Sequence, residues 1–315
     1  MDKVKIITIT AWIITALAMI GLVIFFITGT IFGFGEGGFG GERLFDGRFG
    51  INFGGGIQSL RGPFDVQGDH SVPTTNIDSI DVNWIAGEIR ITPHNGNDIR
   101  IVESAQRTLN DNETLRYNVS GSTLSIDFRE GGTFRGRRVP AKNLEILVPQ
   151  ALSENVNLLN IETVSNEIIV TDITANTLRI DATSARFNIS GTFDDVNFNN
   201  VSGNIGLNNL AEYSRIDVDT ISGSTSLTGS FRSVNVSKVS GSTSVKSGIV
   251  PSSLDVTGVS GNVEIRIPAD GESITVNHSA VSGRLNSEIP VTTQGGGAQF
   301  RVSTVSGNTT ILPIN

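Results

Sequence analysis

Few residues of this chain are suited to chemistry, and their spacing decides what they can do. Asp181, Asp217, Asp219 and Asp255 recur through the second half. Carboxylates gathered on one face would bind Ca²⁺ or act as acid and base in polysaccharide cleavage. His70, His94 and His278 are the three imidazoles, and no two have the short spacing of a metal pair. Arg135, Arg137 and Arg138 form a basic cluster suited to anionic head groups or wall polymers; a solvated loop is the favoured reading. Cysteine is absent, which excludes disulfides, thiolate metal sites, a cysteine nucleophile and cysteine-linked lipid.

What positions these residues is a repeat. An apolar residue precedes Ser-Gly at Ser202-Gly203, Ser222-Gly223, Ser240-Gly241, Ser260-Gly261, Ser282-Gly283 and Ser306-Gly307. Serine-to-serine spacings of 20, 18, 20, 22 and 24 residues are those of an architecture in which each unit buries its apolar face against its neighbours. Aligned on the step, Ile216-Asp217-Val218, Val234-Asn235-Val236 and Leu254-Asp255-Val256 hold two apolar columns around a polar one. After it, Ser224-Thr225-Ser226-Leu227 and Asn262-Val263-Glu264-Ile265 alternate in the same way. Each unit therefore supplies two short strands with period two.

Stacking such units about 4.8 Å apart gives a two-sheeted parallel β-solenoid. Glycine suits a corner that needs positive φ or close backbone approach, and serine can bond the backbone beside it. The register extends back to Ser184-Ala185 and Ser165-Asn166, giving eight coils over 151–315. Ile189-Ser190-Gly191 breaks the spacing and falls in a post-step strand. Residues 72–150 hold less regular strands, placed to cap the stack. Pro313, near the end of the sequence, is expected to blunt an exposed edge.

The same alignment keeps the aspartates apart. Asp217 and Asp255 share an outward column two coils apart, nearly 10 Å by the stacking distance, with Asn235 between them. Asp181 and Asp219 fall in the neighbouring column beside Asn199 and Ser237. That is too sparse for shared metal ligation, and the glycine-aspartate repeat of calcium-binding solenoids is missing. No catalytic, cofactor or metal site is expected. The Asn, Ser and Thr columns form a long polar surface suited to weak multivalent contact with a surface glycan or an envelope protein.

Ahead of the strands, residues 6–28 carry no formal charge, with Lys3 and Lys5 before them. At 1.5 Å per residue such a helix reaches about 34 Å and would cross a bilayer. The basic flank places residues 1–5 in the cytoplasm and the solenoid outside. The alternative is a signal peptide, whose apolar core is shorter and ends at a small-residue cleavage site. Residues 29–71 read as a Gly/Phe-rich flexible linker. The net charge of −8, without a basic stripe, argues against nucleic acid as a partner.

The recurrent Val-Ser-Gly steps, with the segment Val82-Asn83-Trp84-Ile85-Ala86-Gly87-Glu88-Ile89-Arg90-Ile91-Thr92-Pro93, resemble the bacterial "putative adhesin" family, a solenoid-type domain of unknown function. The likeness runs from about Ile77 to the end and departs from the pattern at Ala86, Asn166 and Ala185. It implies a membrane-anchored, extracytoplasmic binding protein without catalytic residues. A second implication is a part in envelope stress signalling; a carbohydrate-active solenoid enzyme is the third reading.

Overall fold

The computed structural model describes residues 64–129, 140–269 and 273–314. The expected span at 6–28 and the cluster Arg135, Arg137 and Arg138 lie outside the described residues. No helix among the described residues is long and apolar enough to cross a membrane.

The described chain is all-β and mostly parallel, as the period-two alternation requires. Each rung places one strand in each of two ladders. The first ladder begins with β4 (Arg116–Ser120), antiparallel to β5 (Thr123–Asp127), which lies parallel to the first half of β2 (Ser79–His94). β2 pairs with β7 (Val156–Ser202), which continues into β9 (Ser214–Ser222), β11 (Phe231–Ser240) and β13 (Ser253–Ser260). The second ladder begins with β1 (Asp65–Pro73), β3 (Asp98–Ala105) and β6 (Lys142–Pro149), each antiparallel to the next, and β6 then lies parallel to the second half of β2. It then runs through β7 to β8 (Ile205–Asn209), β10 (Thr225–Gly229), β12 (Thr243–Ser247) and β14 (Val263–Ile267). β1 thus brings Asp65 to Ser71 into the sheet, although their glycine-rich surroundings read as linker.

Packing follows the columns. Val82, Ile161, Phe198, Val218, Val236, Val256 and Val302 share one inward column and are at most 1% exposed. Burying each such side chain stabilises by roughly 1.5–3 kcal/mol. Ile189 and Gly191 pair with Leu207 and Asn209 in the post-step ladder, so that Ser-Gly copy is no corner.

The rung order departs from chain order at one end. β13 pairs not with β15 (Ile274–Ser282) but with β18 (Ala298–Ser306), and β18 then pairs with β15. Likewise β14 pairs with β19 (Thr309–Pro313), and β19 with β16 (Leu285–Ser287). The chain passes over one rung position, builds the terminal rung, and returns to fill the gap. Pro313 lies opposite Ile267 of β14, just past Thr309–Ile311, the part of β19 that β16 covers. Ile314 rather than Pro313 bonds to Ile267, so the missing N–H of Pro313 falls on the side where no described strand pairs with it. The free edge belongs to β15 and β16. Among the described residues, only β17 (Val291–Thr292) covers it, at Ile274 and Thr275.

Candidate functional site

The step residues form one column along the stack. Gly203, Gly223, Gly241, Gly261, Gly307 and Gly283 all have φ between 107° and 149°. The carbonyl of the preceding step packs under each of them. A Cβ on Gly223 would lie 2.0 Å from the Gly203 oxygen, and one on Gly283 2.0 Å from the Gly307 oxygen. Glycine is thus required twice over, by φ and by space. Gly203 donates its N–H to Ser222, and Gly307 donates its own to Ser282. The serine hydroxyls bond along the column in places, Ser202 to Ser184 at 3.3 Å and Ser222 to the Val201 carbonyl at 3.5 Å. Ser240, Ser260 and Ser306 hold the corresponding positions in their rungs.

The apolar residue before each step faces outward. Val164, Val201, Ile221, Val239, Val259 and Val305 are half-buried, and Val281 on the terminal rung is 57% exposed. Together they make a stripe of β-branched side chains on the exterior. An outward polar column of Ser279, Ser303, Thr257, Ser237 and Asp219 borders it.

Asp217, Asn235 and Asp255 are consecutive partners in their column, followed by Arg301 and Asn277. Neutral or basic residues separate the acids, because like charges one rung apart would repel. Asn235 donates to Asp217 at 3.0 Å, and Arg301 to Asp255 at 3.0 Å. Asp181 is buried and accepts from Arg179 at 2.8 Å and from Asn199 at 2.7 Å. Asp219 pairs with Asn199 and Ser237 in register. Glu162 is not singled out by its sequence position. Burial, with the charges of Asp81 and Asp181, holds its carboxyl above the usual range.

The histidines lie apart. His70 packs on Tyr117, with ring centroids 5.1 Å apart. His94 bonds Asp98 O and Gly96 N in its own turn. His278 occupies the inward column of the terminal rung, opposite Val302. Among the described residues no group of three or more His, Cys, Asp or Glu could hold a metal ion. A cleft of about 400 Å³ lies on the terminal rung; Asn277, Ser279, Thr293, Arg301 and Ser303 line it.

Two lysines sit where the sequence pattern predicts none. Lys142 Nζ, fully buried, donates to Glu103 Oε1 at 2.5 Å, to Glu113 O at 2.6 Å and to Phe128 O. It also lies 3.9 Å from the Phe128 ring centroid and 4.9 Å from that of Trp84. Trp84 Nε1 donates to the Lys142 carbonyl. Burial lowers the Lys142 pKa to about 8 against the opposing pull of Glu103. Lys238 donates to the Gly223 and Ser242 carbonyls beneath the corner, and burial lowers its pKa to about 8. Both act as struts for the fold, tying carbonyls of separate segments together.

Comparison with known proteins places this geometry. Crystal structures of a "putative adhesin" from Parabacteroides distasonis and another from Bacteroides fragilis are each similar to it at 14% identity. They cover 82% and 83% of this chain and all of theirs, with TM-scores of 0.48 and 0.47. A "putative lipid binding protein" from Parabacteroides distasonis is similar at 12% identity, covering 81% of this chain and 98% of its own, with a TM-score of 0.41. No curated protein matches. The model of the Toastrack DUF4097 family matches residues 77–312, and the chain belongs to that family.

Proposed function

We propose that the chain acts by binding, as a membrane-anchored adhesin or scaffold displayed outside the cell membrane. The observation that carries this is the exterior stripe of step residues, repeated rung after rung beside a polar column whose acids are interleaved with amides. Such a surface offers many weak, equivalent contacts, and avidity then multiplies them. An extended wall glycan fits that periodicity; an envelope protein is the other partner class. The uncharged run at 6–28 behind Lys3 and Lys5 supports the anchor and its orientation.

Cosedimentation of the full chain with insoluble cell-wall glycan tests the reading. Replacing Val201, Val239 and Val259 together by threonine keeps the β-branched shape and removes the apolar stripe. Binding is expected to fall at least fivefold with the thermal midpoint unchanged. Unaltered binding, or cleavage of the glycan, would count against the proposal. Capture of one membrane kinase or transporter by crosslinking would replace adhesion with signalling.

A further inference from the structure

The terminal rung is the one place among the described residues where the parallel ladders end without an antiparallel cover along their length. β15 pairs with β18 on one side, and on the other β17 reaches only Ile274 and Thr275. At the opposite end the parallel rungs are closed by the antiparallel strands β1, β3 and β4.

The direction of the free groups can be worked out. The Ser273 carbonyl accepts from Ala298 N–H. Successive residues of a strand turn their amides to opposite sides. Residues 275, 277 and 279 therefore face β18, and the amides of Val276, His278 and Ala280 face the open side. Natural edges are guarded by lysine, proline or a short strand. Val276-Asn277-His278-Ser279-Ala280-Val281-Ser282 has neither charge nor proline. Its outward side chains Asn277, Ser279 and Val281 are exposed.

We propose that this edge pairs with the same edge of a second copy, antiparallel, about a twofold axis at Ser279. His278 of each copy then exchanges hydrogen bonds with Ala280 of the other, and Asn277 lies across from Val281, which becomes covered. This register keeps the incoming strand beyond the segment that β17 occupies. A second copy is the fitting occupant for two reasons. The edge is self-complementary and isologous, so pairing closes at two. It is also neutral in a chain of net charge −8, so two acidic copies meet there without local repulsion. β1 lies at the far end of the second ladder, so the pair is joined tip to tip with its N-terminal strands at opposite extremes. This names the partner of the adhesive reading, on which it rests: the same protein on a facing surface.

The chain has no cysteine, so Ser279→Cys gives a single reporter. Across a twofold, facing residues of a non-hydrogen-bonded pair have Cα atoms about 4.5 Å apart, within disulfide range. Mild oxidation of the full chain is expected to give a covalent dimer from Ser279→Cys and little from Ser226→Cys, an exposed control on the post-step strand β10. Ser279→Glu should weaken self-association at least tenfold in sedimentation with an unchanged thermal midpoint. An equal mixture of Ser279→Glu and Ser279→Lys should restore it. Equal crosslinking of the two cysteine variants, or self-association indifferent to Ser279→Glu, would overturn the tip contact. If glycan binding still depended on the valine stripe, adhesion would stand and only the partner would be wrong; loss of both effects would sink both.

Discussion

Lys142 holds its charge where no water reaches it, and three oxygens and two aromatic rings take the place of solvent. Removing one partner of such a buried pair leaves the other charge uncompensated, at a cost of about 3–5 kcal/mol. Lys142→Met should therefore lower the denaturation midpoint strongly, and adding Glu103→Gln should recover most of the loss; urea titration measures both. Glu113 next to it is held at a pKa of about 2 by Arg107, which it meets through two hydrogen bonds. Its proton binds less tightly in the folded chain than in the unfolded one, so ionisation favours folding. That contribution is complete above the ordinary value of 4.5 and disappears as pH falls toward 2. It is on the order of 3 kcal/mol, and Glu113→Gln should flatten the stability profile across that window. Lys142 was legible in principle. It shares the inward parity of Leu144, Ile146 and Val148 in β6, and Lys238 shares that of Val234 and Val236. A charge at an apolar parity reads as a strand end until the partners, distant in sequence, are seen.

The step glycines show what a repeat makes readable. Their recurrence reported a corner because two constraints of the stack, positive φ and the neighbouring carbonyl, act at the same residue in every rung. Gly223→Ala should destabilise by more than about 2 kcal/mol, since both constraints are violated. Gly258→Ala places its Cβ at ordinary contact distance, 3.5 Å from Lys238, and should change stability by about 1 kcal/mol or less. Comparable midpoint shifts for the two variants would contradict this account of the corner. The aspartate columns were legible for the same reason, because register places Asn235 between Asp217 and Asp255 whatever the turns do. The order of the closing rungs was not. Period and alternation are identical whether the final strands extend the stack or fill a gap in it. The only trace is length: the last two spacings, 22 and 24 residues, exceed the earlier 18 and 20, leaving chain for the return crossing.

At the scale of the whole described stack, every functional statement depends on which rung is last. The inserted rung completes the exterior stripe through Val305. It also leaves β15 with an unguarded edge, and β15 could not serve as a tip if β18 lay beyond it. Paired cysteines test this order directly, because a parallel neighbour lies about 4.8 Å away, while a residue two rungs off lies near 10 Å, beyond disulfide reach. Asp255 lies opposite Arg301, and Arg301 opposite Asn277. In the full chain, the double variant Asp255→Cys with Arg301→Cys should form an intramolecular disulfide on oxidation, whereas Asp255→Cys with Asn277→Cys should not. The reverse pattern, with 255 joined to 277 and not to 301, would mean that the rungs stack in chain order and that the tip has been misidentified.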